Sequence, residues 1–374
     1  MKIAFICKQY YSGRDLIHDR FGRLYEFPLQ LARLGHSVRV YCVDYRGAGG
    51  GIWSHSAEPG TLRFESLSVS KSQLLRLLPY PRKLLEKVES FEADLIIGAS
   101  DIPHVACATW LAKRLQRPCI VDLYDNFESF GQAKIPGFTS LLRYAVRSAD
   151  MVTVVSEPLR ALVVRRYDPV CPVFVLGNSV DKDLFRETDR FSARRNLGLP
   201  TSGVFVGTAG RLSRRKGLST LYDAWERIES KIPGAHLVLA GSVEKGLTPP
   251  EGGNVHMLGE LPYRQMVDFF NALDVGVVTV ADDEFGRYCF PQKAYEMLAC
   301  GRKIVAADVG AMSSMLSGKP RQLYSPGDAG ELAEAVVAQI KAPEECDIFV
   351  PGWEELVSDL ESTVSGKIIH HRLS

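Results

Sequence analysis

Two short stretches carry residues whose types and spacing could do chemistry: "GRLSRRKG", residues 210–217, and "FPQKAYEMLACG", residues 290–301. In the first, Gly210 follows an apolar strand-like run and Gly217 precedes a helical pattern through Leu218, Leu221, Trp225 and Ile228, with Arg211 and Lys216 bracketing the turn. Such a strand-to-helix turn suits a diphosphate: backbone N–H groups and the helix dipole attract anions, and a guanidinium binds phosphate oxygens in pairs. A solvated basic loop is the alternative, because strand-to-helix turns commonly contain Gly and Lys. In the second stretch Pro291 fits the first position of a short helix and Gly301 its C-terminal stop. The helix start offers a second anion site, and Glu296, more than a turn further in, could accept hydrogen bonds from the vicinal diol of a ribose. Phosphate at one end and diol at the other describe a nucleotide. The alternative is a surface Lys293–Glu296 ion pair of a few tenths of a kcal/mol. Against it, the surrounding "AYEMLACG" is apolar, where an unpartnered carboxylate is costly.

The elements that must position these residues follow from the pattern around them. Runs such as "KIAFIC", "SVRVYCV", "DLIIG", "PCIVDLY", "MVTVVS" and "VFVLG" alternate with helical stretches, among them an amphipathic one from Arg20 to Leu34 closed by Gly35. Strands this continuously apolar belong to a parallel sheet covered on both faces. After Asp181 the chain turns polar and then restarts with "VFVGTAG", "HLVLAG", "VHML", "VGVVTV" and "KIVAAD". The expectation is an α/β chain of two doubly wound domains, 1–185 and 186–350, with a last helix in 353–374 that could return to the first; 374 residues suit two such domains. Open α/β sheets bind ligands beyond the carboxyl ends of their strands, so the chemistry is expected in a cleft between the domains.

Bulk properties narrow the function classes. Charge is roughly +5 over residues 1–185 and roughly −4 over the rest, far too little for a nucleic-acid binder, and no basic stripe interleaved with aromatics appears. Eight cysteines lie scattered without a CxxC pair, which argues against zinc and a disulfide framework. No secretory signal opens the chain and no apolar run reaches the length of a membrane span, so a cytoplasmic protein is expected. Residues 71–91 combine leucines with Lys71, Arg76, Arg82, Lys83 and Lys87. They could rest on anionic lipid at the inner face of a membrane, or form a surface helix pair broken by Pro79 and Pro81. Three decoys are set aside: "DKD" at 181–183, "GAGGG" at 47–51, read as a flexible loop, and His370–His371 in a polar tail.

Taken together, "GRLSRRKG" and, about eighty residues later, "FPQKAYEMLACGRKIVAADVG", with "LARLGHSVRVY", "SADMVTVVSEPLR", "VLGNSVDKDLF" and "NVHMLGELPYRQMVDFFNALDVGVV", resemble the retaining glycosyltransferases of family 4, which have the GT-B fold. The resemblance implies a nucleotide-diphosphate sugar held by the second domain, with Arg211 and Lys216 on the diphosphate, Glu296 on the ribose, and Gly210, Pro291 and Lys293 among the donor-binding residues. It further implies backbone near Met257 and Leu258 against the base and backbone near Cys289 and Phe290 by the distal phosphate. A glycan or glycolipid acceptor would sit on the first domain, with no metal and no other cofactor, in bacterial surface polysaccharide or glycolipid assembly. The chain departs from the common pattern of two glutamates eight apart, having Tyr288 eight before Glu296 and Glu284 upstream, and looks like a subgroup with P-x-K-x-x-E. Where the family often has a His, Asp125 and Asn126 stand, and Asp125 is the candidate polar group at the reacting hydroxyl, as base or as orienting group, with a strand-end turn as the alternative. Only Gly13 remains of the family's double-glycine loop, and Arg14, Asp15, Arg20 and Arg23 fit an acceptor bearing phosphate or carboxylate, or a solvated helix start. Rival functions are a nucleotide-sugar epimerase of the same architecture and a two-domain solute-binding protein.

Overall fold

The structure is a computed structural model in which residues 1–11, 14–69, 79–344 and 347–367 are described. Gly13, residues 71–78 of the basic segment and the His370–His371 tail lie outside them. The chain divides into two compact units, one of Met1–Asn178 with the chain from Trp353 onward, the other Ser179–Gly352. Val180 and Phe185, on the first-domain side of the boundary expected at 185, are buried in the second unit's core. Among the described residues, no helix is long and apolar enough to cross a membrane.

In the first unit eight strands form one sheet, in the order Val173–Val175, Met151–Val154, Cys119–Leu123, Leu95–Gly98, Lys2–Lys8, Ser37–Asp44, Thr61–Ser68, Gly51–His55. Every neighbouring pair is parallel except the last, which is antiparallel. The central strands are apolar on both faces because helices cover both. Lys2–Lys8, for example, buries Ile3 to Cys7 without interruption. The loop expected at 47–51 spans 47–50 and ends where Gly51 begins the edge strand, and in its neighbour Leu62 and Phe64 alternate with more exposed residues as a half-covered strand requires. The helix Trp353–Lys367 buries Val357, Leu360 and Val364 in this unit's core and packs on the helix Arg23–Arg33.

The second unit carries six strands, all parallel, in the order Val255–Met257, Ala235–Ala240, Val204–Ala209, Val275–Val278, Lys303–Ala307, Leu323–Tyr324. From Val204–Ala209 the chain first builds outward through Ala235–Ala240 to Val255–Met257, then returns to the other side of Val204–Ala209 with Val275–Val278. The sheet order therefore reverses between Val204–Ala209 and Val275–Val278, and the segments leaving their carboxyl ends diverge around a crevice, the usual ligand position in such a sheet.

Candidate donor site and first-unit polar network

Both stretches singled out from the sequence lie at this reversal. Val204–Ala209 ends at Gly210, whose φ of 106° is open to glycine and strained for other residues. Gly241, at the end of the neighbouring strand, approaches so closely that a Cβ there would lie 1.8 Å from Gly210 O. After Leu212 bridges the chain leaving the neighbouring strand, with Leu212 N–H donating to Ser242 O, Ser213 caps a single turn, Arg214–Lys216, and Gly217 at φ 71° starts the helix Leu218–Lys231. Gly217 also lies against the backbone of Val280, where a Cβ would come within 3.1 Å.

The four cations of this turn sort themselves by partner. Arg214 pairs with Glu244, and its backbone N–H donates to the same carboxylate at 2.8 Å. Arg215 reaches Asp283 at 3.8 Å and its guanidinium lies over the Phe285 ring. The Lys216 ammonium is 4.0 Å from the same ring's centroid, a cation–π contact. Arg211 is exposed directly after Gly210 and, among the described residues, has no side-chain partner.

The second stretch forms the helix Gln292–Ala299. Pro291 is its cap rather than its first residue, one position earlier than expected, with φ −75° and ψ 89°. The helix stops as read: Gly301 at φ 68° donates its N–H to Leu298 O, and Arg302 N–H bonds Met297 O. Met297 fits against the sheet because Gly276 has no side chain; a Cβ there would meet the Met297 sulfur at 2.4 Å. The Lys293–Glu296 surface pair considered from the sequence is not what forms. Lys293 Nζ donates instead to Thr208 Oγ1 at 3.0 Å and Ala209 O at 3.4 Å, at the end of the central strand, and Glu296 Oε1 accepts from Gln292 Nε2 at 3.3 Å. Burial, then the neighbouring Lys216 charge, lowers the Lys293 pKa from 10.5 to about 7, with Cys289 and Glu296 acting in the opposite sense. Lys216, Lys293 and Glu296 thus share one neighbourhood.

Other expected donor contacts fare unevenly. Cys289 N–H donates to Phe285 O, which removes that amide from the set of phosphate donors, and Phe290 packs edge-on against Tyr295. Met257 ends its edge strand with an exposed side chain, and Leu258 N–H is bonded to Leu239 O. Glu284 is exposed in the loop before the helix, and Thr279, fully buried just beyond Val275–Val278, has a hydroxyl oxygen with no hydrogen-bond partner among the described residues.

In the first unit the acceptor-side expectations need two corrections. Asp15 is buried and spends its carboxylate locally: Oδ2 accepts from Gln9 Nε2 at 2.7 Å, and Oδ1 from the backbone N–H groups of Ile17 and His18. Arg23 is not a solvated charge but one of the most deeply buried side chains, ion-paired at 2.7 Å with Asp122, which is itself fully buried. Arg14 stacks on Phe21, and Arg20 is exposed in left-handed backbone at φ 51°. Asp125 follows the strand Cys119–Leu123 and accepts from Asn126 N–H at 2.8 Å. Asn126 caps the turn Phe127–Ser129 through Oδ1, while its buried Nδ2 has no partner among the described residues. The sequence reading missed Asp101, at the strand-order reversal of this sheet. Asp101 Oδ1 lies 2.5 Å from His104 Nδ1, and although burial pushes its carboxyl up, His104 and its hydrogen bonds hold it below the usual value. Its position directly after "DLIIGAS" and before a helix was the available signal, as an N-cap aspartate. Among the described residues, no cluster of three or more His, Cys, Asp or Glu side chains is placed to hold a metal ion.

Comparison with known proteins agrees with this fold. Residues 203–341 match the family described as "Glycosyl transferases group 1", and residues 24–178 match "Glycosyl transferase 4-like domain", so the two matches span most of the chain. The Bacillus subtilis protein TuaC, named for teichuronic acid biosynthesis, is 26% identical over 283 residues, 75% of this chain and 70% of that one. A D-inositol 3-phosphate glycosyltransferase of Mycobacterium leprae is 32% identical over 207 residues, 51% of this chain and 46% of its own length, so the chain spans about half of that relative. Among solved structures, sucrose-phosphate synthase from Thermosynechococcus elongatus superposes with TM-score 0.71 at 20% identity, covering 100% of this chain and 98% of its own. Anabaena HepE in complex with UDP-glucose superposes with TM-score 0.67 at 19% identity, covering 98% and 95%. The fold is GT-B, two Rossmann-like domains in one chain.

Proposed function

We propose that this chain, which belongs to the glycosyltransferases built from those two domains, moves a hexosyl group from a nucleoside-diphosphate sugar to an acceptor hydroxyl with retention of anomeric configuration. In that reaction the bond from the anomeric carbon to the diphosphate breaks, the bond to the acceptor oxygen forms, and the hydroxyl proton departs with the nucleoside diphosphate as the other product. The observation that carries the reading is the convergence of the Gly210–Gly217 turn and the Gln292–Ala299 helix start on the strand-order reversal of one sheet, with Arg211 left without a protein partner among the described residues. Arg211 and Lys216 bind the diphosphate and stabilise it as charge develops on the leaving oxygen, which needs no metal in this scheme. Glu296 accepts the ribose hydroxyls, and backbone near Met257 and Leu258 meets the base. Asp125 orients the acceptor hydroxyl on the first unit. The bound UDP-glucose of the Anabaena structure and the teichuronic acid name of TuaC support a nucleotide-sugar donor and a bacterial surface-glycan acceptor.

Arg211→Ala and Lys216→Ala are expected to lower kcat/KM by about 100-fold or more while leaving thermal unfolding unchanged. Wild-type turnover in either variant overturns the assignment, and turnover of donor without acceptor would favour an epimerase. A lipid-linked acceptor would bring the protein to a membrane, for which Arg82 and Lys83 on the helix Tyr80–Ser90 offer exposed cations. Sedimentation with anionic vesicles at low salt reads that contact, and its absence removes it.

A further inference from the structure

Lys293 has hydrogen-bond partners suited to its neutral form. Among the described residues its acceptors are two, Thr208 Oγ1 and Ala209 O. A neutral amine carries two hydrogens, and both are then used; the third hydrogen of an ammonium finds no acceptor there. The titratable groups around it come from three directions: Lys216 from the turn after the central strand, Cys289 from the loop before the helix, and Glu296 from its own helix. Burial and then Lys216 disfavour a charge on Lys293, while Cys289 and Glu296 act in the opposite sense without prevailing. An anion placed beside both lysines reverses this balance, since it attracts each ammonium and supplies the missing acceptor.

We propose that binding of a nucleoside-diphosphate sugar draws a proton onto Lys293, so that its third N–H donates to the diphosphate and a cation present only in the complex joins Arg211 and Lys216. The inference rests on the donor reading above and adds to it a coupling between donor affinity and pH. The sign follows from linkage. The complex binds the extra proton, so affinity is at its full value when Lys293 is already charged in the free protein, below about pH 6, and declines as pH rises above about 7, by up to about tenfold per pH unit.

Isothermal titration of UDP-glucose, GDP-mannose and ADP-glucose tests this at about pH 8, in buffers of different ionisation enthalpy. These sugar diphosphates have no phosphate that titrates near neutrality, so the slope of observed heat against buffer enthalpy counts protons taken up by the protein. The expected result is an uptake approaching about one proton per donor bound, shrinking toward zero at about pH 6. Lys293→Met is expected to abolish the uptake, and Lys293→Arg, whose side chain stays charged throughout this range, to abolish it while flattening affinity against pH. Should the methionine variant fail to unfold cooperatively, the arginine variant carries the test. Donor binding by the wild type without proton uptake, or uptake that persists in either variant, overturns the proposal and leaves the donor reading standing. If none of the three sugar nucleotides binds the wild type, it is the donor reading that falls, and the coupling with it.

Discussion

The buried pair of Arg23 and Asp122 makes the first unit's stability measurably dependent on two side chains 99 residues apart. Arg23 donates from Nε and Nη2 to the carboxylate at 3.0 and 2.7 Å, and from Nη1 to Leu176 O and Gly177 O at 2.7 and 2.9 Å. Thr153 Oγ1 adds a third bond to the carboxylate at 2.6 Å. Both charged side chains are shielded from solvent, at 1% and 0% exposure, so neither can recover hydration if its partner is removed. Asp122→Ala strands a guanidinium and Arg23→Met strands a carboxylate; each is expected to cost about 3–5 kcal/mol. The double variant buries no unpaired charge and should cost no more than the worse single one, a coupling of about 3 kcal/mol or more. Urea unfolding followed by tryptophan fluorescence reads this in a Trp225→Phe background, because Trp53, Trp110 and Trp353 all belong to the first unit. Costs that simply add, to within about 0.5 kcal/mol, would refute the argument that the ion pair itself is what each substitution breaks.

Gly241→Ala should cost at least about 2 kcal/mol more than Gly234→Ala in thermal or urea unfolding, since both have positive φ but only the former drives a Cβ into Gly210 O. It should also weaken any donor-induced thermal shift, because Gly210 aims Arg211. In the second unit, His236 Nδ1 and His256 Nε2 lie 3.1 Å apart, and both rings are held below the ordinary histidine value, chiefly by burial, then by Arg194 for His236 and by His236 for His256. The unfolded chain therefore binds more protons over that window, so stability holds above about pH 6.5 and falls as pH drops below it. A His236→Phe variant should flatten that slope for the transition reported by Trp225 fluorescence, and an unchanged slope would remove the pair as its source.

The sheets were legible because continuous burial leaves a continuous apolar run. "KIAFIC" and "VFVGTA" have no polar face to confuse with anything else, and each became a central strand. The edge strand Gly51–His55 and its neighbour Thr61–Ser68 were not read, although Leu62 and Phe64 alternate with polar neighbours; a short alternating run after "GAGGG" looks the same as a loop until a partner strand is known. At the site, turn chemistry was legible residue by residue: Gly210, Gly217 and Gly301 all adopt the positive φ that their places implied.

Charges were legible only as charges. Arg23 and Arg211 each directly follow a glycine and precede a leucine, with further arginines nearby, and nothing local separates them. Arg23 is enclosed because its helix begins where the strand Cys119–Leu123 and the chain at Leu176–Gly177 supply a carboxylate and two carbonyls, while Arg211 emerges at a strand-order reversal where none of the described residues offers its side chain a partner. Lys293 belongs between the two: an i to i+3 spacing suggests Glu296, yet the acceptors it takes are Thr208 and Ala209, about a quarter of the chain away in sequence. A cation's partner is thus decided by which strand ends adjoin it, and that is set by sheet order. The residues proposed for a ligand are those whose turn was readable but whose protein acceptors the topology withholds among the described residues, and in the proposals above Arg211 and the third hydrogen of Lys293 serve the same anion.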